Sequence, residues 1–235
     1  MALAVGQAAR FVHAQDGGWR FRPWASSRCA AGVTDRRQTA AALAASLGGA
    51  AALITAEQVH GAGIAVIGRA DVAGPIAGCD ALLTALPDVA LGIRSADCLP
   101  VFFADPVRGV VGLAHAGWRG LAAELPLRMI AAFRHAFQSP PGDLHVAIGP
   151  AIRACCYEVG ADFPAAFAPF LRREGARRTC DLIGAAIAQL RRGGVRADRI
   201  TDAERCTACD ATQWFSLRRE GPQTGRLSSL IMWRG

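Results

Sequence analysis

The 235-residue chain predicts a single α/β (α+β) domain covering residues 1–235, on three observations. Five short apolar runs bounded by Gly, Pro or Asp crowd between Gly63 and Ala114. The apolar spacing lengthens to a helical period after Trp118, and no linker-like stretch divides the chain. Hydrophobic residues make up 52% of the sequence and charged residues 19%, which supplies a sizeable core and argues against disorder.

Taken in order, Arg36 to Leu47 reads as a helix, with Thr34 or Asp35 as N-cap and Gly48 as its stop. The segments Gly63 to Ile67, Ala81 to Thr84, Val89 to Ile93, Pro100 to Ala104 and Gly109 to Ala114 read as strands of a largely buried sheet. Asp105-Pro106-Val107-Arg108-Gly109 has hairpin chemistry, so the strand after Cys98 is expected to pair antiparallel with the strand before His115. Trp118 to Phe137 follows a helical period, broken or restarted at Pro126, which suits a first turn. Leu144 to Ile148 reads as a further strand, and helical patterns cover Asp162 to Arg173 and Cys180 to Arg192. The stretch from Phe215 to Trp233 reads as a hairpin closing the sheet.

Composition narrows the function. The apolar stretches are too short to span a bilayer, and the N-terminus is a poor secretory signal, so a cytoplasmic protein away from membranes is expected. In that compartment eight cysteines point to reduced thiols, metal binding or catalysis rather than a disulfide framework. The net charge of +7 comes from a chain whose 26 basic residues are all arginine, scattered in pairs without aromatic interleaving, which disfavours nucleic acid as a partner. With no lysine there is neither Schiff-base chemistry nor a P-loop, and with no asparagine there is no Cys-His-Asn triad.

The predicted hairpin brings Cys98, in L-G-I-R-S-A-D-C-L-P, and His115, in G-V-V-G-L-A-H-A-G-W-R-G, to one end of the sheet. His60, in E-Q-V-H-G, is a third candidate. Two imidazoles and a thiolate match a catalytic zinc shell with a fourth position open, and the residual positive charge can lower the pKa of bound water. Taken singly, each residue also suits a plain structural role, a buried thiol or a satisfied imidazole. Cys206-x-x-Cys209 reads as a lone pair, and adjacent Cys155 and Cys156 cannot both point one way from a strand. One of the latter is expected to line the pocket, in preference to a structural zinc joining the two pairs.

At these motifs the chain resembles the YfiH or laccase-domain family, first described as polyphenol oxidases and later as purine nucleoside phosphorylases with deaminase activity. The matching pieces are Q-V-H-G, C-D-A-L-L-T, S-A-D-C-L-P-V, A-H-A-G-W-R-G, G-P-A-I-R-A-C-C-Y-E-V-G, R-C-T-A-C-D and F-S-L-R-R-E-G-P-Q-T-G-R. The resemblance implies a four-layer α/β/β/α sandwich of the YfiH-like cysteine hydrolase type. It implies a zinc site, with copper as the other metal considered, formed by His60, Cys98 and His115, which are also the catalytic residues. It further implies an enzyme that cleaves adenosine, inosine, guanosine or methylthioadenosine with inorganic phosphate and deaminates adenosine, and the chain is expected to act as a monomer. Phosphorolysis needs guanidinium groups near the ribose, for which Arg119 is the first candidate and Arg218 and Arg219 the next; Trp118 could stack on the base. Asp97 or an imidazole could move the proton, and Glu158 is a further acid or base candidate. The chain departs from the family in Gln15, where an arginine usually precedes the glycine pair, and in Arg28, where an asparagine is usual. Arg20, Arg22 and Arg28 are the residues that could compensate.

Two other chemistries fit the same residues. Cys98 could be a nucleophile activated by His115 and oriented by Asp97 or another carboxylate, giving an amidase that edits peptidoglycan precursors. Copper-dependent phenol oxidation ranks below it, because such oxidases need more histidines than this chain's five. A non-catalytic partner role would survive alanine at His60, Cys98 and His115.

Overall fold

The computed structural model describes residues 10–15, 18–22, 24–71 and 74–235; the leader reading of residues 1–9, Asp16-Gly17 and Pro23 lie outside them. In chain order the elements begin β1 (Arg10–His13), β2 (Trp19–Arg22), β3 (Cys29–Val33), α1 (Ala40–Ser46), β4 (Ala52–Thr55), β5 (Ile64–Ile67) and β6 (Ala81–Thr84). They continue with β7 (Val89–Ser95), β8 (Leu99–Asp105), β9 (Val110–Ala116), α2 (Trp118–Ala122), α3 (Leu125–Phe137) and β10 (His145–Ile148). The last are β11 (Leu171–Glu174), β12 (Arg177–Cys180), α4 (Leu182–Arg192), β13 (Ile200–Asp202), α5 (Leu217–Glu220) and β14 (Leu227–Trp233).

The strands form two six-stranded sheets, ordered β1-β2-β3-β14-β7-β4 and β13-β10-β8-β9-β6-β5, plus the β11-β12 pair. Their central strands are buried on both faces, and successive residues feed different layers. Leu82 and Phe102 pack between the two sheets with Leu91, Leu113 and Ile231. Their neighbours Leu83 and Phe103 pack with Leu125, Met129, Phe133 and Leu190 of α3 and α4. On the outer face of the first sheet, Leu43 of α1 meets Ala90, Leu230 and Met232. The chain passes from the first sheet to the second twice in the region that matters below, at residues 56–63 between β4 and β5 and at 96–98 between β7 and β8.

The β8-β9 hairpin forms as the turn chemistry predicts, with Pro100 opposite His115 and Asp105 opposite Val110. Asp105 is fully buried, and its carboxylate accepts the N–H groups of Val107 (2.9 Å) and Arg108 (3.1 Å) and the Arg108 guanidinium (3.0 Å). Gly109 closes the turn at φ +68°. Asp105→Ala takes the acceptor from the two turn N–H groups and leaves the Arg108 guanidinium with Asp143 alone (3.0 Å), and is expected to cost about 2–3 kcal/mol in urea unfolding. A loss below about 0.5 kcal/mol, the scatter of ordinary surface changes, would show that the turn holds without its carboxylate.

Several segments differ from the sequence reading. Helix α1 begins later than expected, capped by Thr39, because Asp35 spends its side chain on the N–H groups of Arg37 and Gln38 and turns the chain first. The stretch read as a helix from Asp162 is a 3₁₀ turn over Ala165–Phe170, preceded by Pro164 and containing Pro169, and its last residues become β11. Phe215 to Trp233 is not a hairpin. Ser216 caps the short helix α5, and only the second arm is a strand, β14, lying between β3 and β7. No helix among the described residues is long and apolar enough to cross a membrane.

Candidate active site

His60 is fixed by its own motif before any ligand is considered. The Glu57 carboxylate accepts the Gly78 N–H (2.7 Å), and the Gln58 side chain pairs with both the N–H and the carbonyl of Arg94 (2.7 and 2.5 Å). The chain then turns with positive φ at Gln58 (+66°) and His60 (+60°). Asp80, buried completely at the start of β6, accepts the N–H groups of His60 (2.9 Å) and Gly61 (2.7 Å). The same carboxylate meets Nδ1 of His115 at 3.0 Å. One acid therefore sets both histidines, and it fixes His115 as the Nδ1–H tautomer with Nε2 free to act as a ligand.

Cys98 arrives from the other crossing. Asp97, at φ +92°, accepts Thr207 Oγ1 (2.6 Å) and the Arg218 N–H (2.7 Å), while its carbonyl accepts the Ile152 N–H (2.9 Å). Both carboxylate oxygens are thus taken up in tying three segments together behind Cys98. Gly117 leaves room for the thiol, since a Cβ there would stand 3.0 Å from Cys98 Sγ.

The result is a cluster in which the ligand atoms of His60, Cys98 and His115 all lie within 4.8 Å of one another, with the two imidazoles edge to face at 4.9 Å. Burial works to raise the Cys98 thiol, but the His115 and His60 imidazoles bring it down to about 7. Burial likewise opposes a charge on His115, yet Asp80 and Cys98 hold its pKa up at about 9. Two imidazole nitrogens and a ready thiolate, with a carboxylate behind one imidazole, suit zinc by donor chemistry. In metal-stripped protein, alkylation of Cys98 is expected to rise with pH and reach half its maximal rate near pH 7, because the thiolate is the reactive form. A midpoint at the ordinary thiol value would mean that the imidazoles do not act on it.

The cluster opens into a cavity of about 350 Å³, within the range of about 300–1,000 Å³ typical of small-ligand sites. A cleft of about 640 Å³ lined by His13, Trp19 and Asp35 is larger, but it gathers no such ligand set among the described residues. Trp118, Arg119 and Arg218 line the smaller cavity, as do Ile152, Tyr157, Leu182 and Leu217, which sequence reading did not single out. Arg119 lies over the Trp118 ring (4.4 Å) and Arg218 over Tyr157 (5.0 Å), and neither has a carboxylate partner among the described residues. Phe163 packs against both Trp118 and Tyr157 from behind.

Other expected residues fall elsewhere. Arg219 does not line the cavity; its guanidinium is spent on the carbonyls of Thr207, Ala208 and Trp214 and on Glu220. Glu158 is exposed and paired with Arg177. Arg20, Arg22 and Arg28 are not among the cavity's lining residues. Nor are Cys155 and Cys156, which instead meet Cys206 and Cys209. Asp80 was missed by sequence reading, although its position inside C-D-A-L-L-T, an acid at the start of an apolar strand, was a usable signal.

A mixed α/β fold of paired sheets with a His-Cys-His cluster in a cationic, aromatic-walled cavity defines a metal-competent enzyme-like class. The chain belongs to the multi-copper polyphenol oxidoreductase laccase family, whose sequence profile matches residues 9–234. It is 37% identical over 194 residues to the purine nucleoside phosphorylase YlmD of Geobacillus stearothermophilus, spanning 76% of this chain and 71% of that protein. It is 32% identical over 191 residues to adenosine deaminase RL5 of an unknown prokaryotic organism, spanning 74% and 72%. The crystal structure of YlmD from Geobacillus stearothermophilus matches with a TM-score of 0.87 at 31% identity, covering 97% of this chain and 100% of the other.

Proposed function

We infer that the protein is a zinc-dependent purine nucleoside phosphorylase that also deaminates adenosine, working as a cytoplasmic monomer built as one four-layer α/β/β/α domain. The observation that carries this reading is the set of ligand atoms from His60, Cys98 and His115 within 4.8 Å, beside two arginines that have no carboxylate partner among the described residues. The family membership and the activities for which the two relatives are named support the substrate class. A zinc ion held by the three residues would supply Lewis acidity to the reacting face of the substrate.

The remaining work falls to the chain's own groups. Trp118 and Tyr157 offer aromatic faces for the purine, and Arg119 and Arg218 offer planar donors for a phosphate dianion. In phosphorolysis a phosphate oxygen bonds to C1′ of the ribose as the C1′–N9 bond breaks. The electron pair leaves with the purine, which takes up a proton. In deamination water replaces the C6 amino group and ammonia leaves.

The test is to incubate metal-quantified protein with adenosine, with and without phosphate, and to separate the products. Adenine and ribose 1-phosphate are expected only with phosphate, and inosine without it. Zinc-loaded protein that leaves every purine nucleoside untouched would refute the reading. A second reading, a cysteine hydrolase acting on amides such as cell-wall precursors, is favoured by the low pKa of Cys98 beside a raised His115. There the orienting acid would be Asp80, not Asp97. That activity would survive chelators and be lost to alkylation, whereas the zinc enzyme is sensitive to chelators.

A further inference from the structure

We propose that Cys155, Cys156, Cys206 and Cys209 form a second metal site, a closed four-thiolate centre for Zn²⁺ that clasps two loops behind the cavity. The four Sγ atoms all lie within 4.8 Å of one another, and two of the separations, Cys156 to Cys209 and Cys155 to Cys209, are 3.4 and 3.6 Å. A tetrahedral zinc with Zn–S bonds of about 2.3 Å sets its sulfurs about 3.8 Å apart, so the thiols already stand near the required spacing. They are too far apart for an S–S bond of about 2.05 Å, and all four are free.

The backbone explains how neighbours in sequence can serve one centre. Cys155 and Cys156 do not lie on a strand, where they would face opposite ways. They lie in a turn closed by the N–H groups of Cys156 and Tyr157 on the Arg153 carbonyl (both 2.9 Å). The opposite loop is held alongside by a parallel bridge between Ala151 and Cys206, through Ala151 N–H to Arg205 O and Thr207 N–H to Ala151 O. Two loops 50 residues apart thus present two thiols each to one point, with Cys155 and Cys209 exposed enough for an ion to reach it.

Four protein sulfurs fill a tetrahedral shell and leave no open position, so this centre is structural, unlike the three-ligand cluster at His60. Uptake of Zn²⁺ by four thiols releases four protons to solvent and changes no oxidation state. What the clasp would hold is specific. Its first loop leads directly into Tyr157, and its second carries Thr207, which donates to Asp97, and the carbonyls that anchor Arg219 beside Arg218. The proposal does not depend on which reaction the cavity performs.

The test is zinc content per chain for protein purified under reducing conditions, compared between wild type, Cys98→Ala and the double variant Cys206→Ser/Cys209→Ser. The double variant is expected to lose one zinc per chain relative to wild type, and Cys98→Ala to keep that zinc. Cobalt(II) added to metal-stripped Cys98→Ala, in which the first site lacks its thiolate, is expected to give intense sulfur-to-cobalt charge-transfer bands with tetrahedral ligand-field bands. If the double variant does not fold, the cobalt measurement decides alone. Absence of charge-transfer bands in Cys98→Ala, or equal zinc in the folded double variant and wild type, would overturn the proposal.

Discussion

Cys98→Ala is expected to lower kcat/KM for phosphorolysis of adenosine by a factor of about 1,000 or more, equivalent to about 4 kcal/mol of transition-state stabilisation. The thiolate would be the only anionic ligand in the His60–Cys98–His115 set, so its loss would remove a donor and the charge that would hold a dication between the two imidazoles. Zinc at this site should fall with activity. Because the alanine is smaller than the cysteine and Gly117 already gives the thiol room, the fold should persist, with a melting temperature within a few degrees of wild type. Activity within fivefold of wild type would sink the reading of this cluster as the reaction centre. Lost activity with zinc retained at His60 and His115 would move the assignment toward a nucleophilic cysteine.

Asp80→Asn tests the residue behind the ligands. The carboxylate accepts from three donors, the His60 and Gly61 N–H groups and His115 Nδ1–H. A carboxamide has one oxygen to offer, and its NH₂ must face a donor. His115 would lose the partner that fixes its tautomer, and His60 the contact that holds its loop at positive φ. Zinc affinity, read by competition with a chromogenic chelator, is expected to fall 10- to 100-fold, and activity at limiting zinc to fall with it. Excess zinc should restore part of the activity, which a purely unfolded variant would not show. Unchanged affinity would mean that the imidazoles are positioned by packing alone.

What could be read in the sequence, and what could not, follows from the range of the interactions concerned. Strands β6 and β8 were legible because residues such as Leu82-Leu83 and Phe102-Phe103 are buried on both faces, which leaves an unbroken apolar run. The neighbourhood of Cys98 and His115 followed from a local turn, Asp105 to Gly109, that fixes the register of the hairpin. Asp80 escaped because its meaning lies in donors 19 to 35 residues away. Arg218 and Arg219 could not be told apart, since adjacent residues in a helical turn point to different surroundings, here the cavity and the loop carbonyls. The thiols at Cys155 and Cys156 were read against strand geometry when the chain actually turns there. The strands β1 and β2 were missed because R-F-V-H and W-R-F-R mix arginine and histidine with their apolar residues and leave no unbroken apolar run.

The two places where the chain crosses between sheets bear on the order in which the molecule can assemble. His60 and Cys98 each sit in such a crossing, while His115 ends a strand of the second sheet. A nascent chain with one sheet formed has at most one strand-borne ligand in position, so tight metal capture must wait until the sheets have docked. An ion held there would then act as a latch set at the end of folding. Its release on heating should coincide with separation of the two layers, making bound metal a reporter of the last cooperative step.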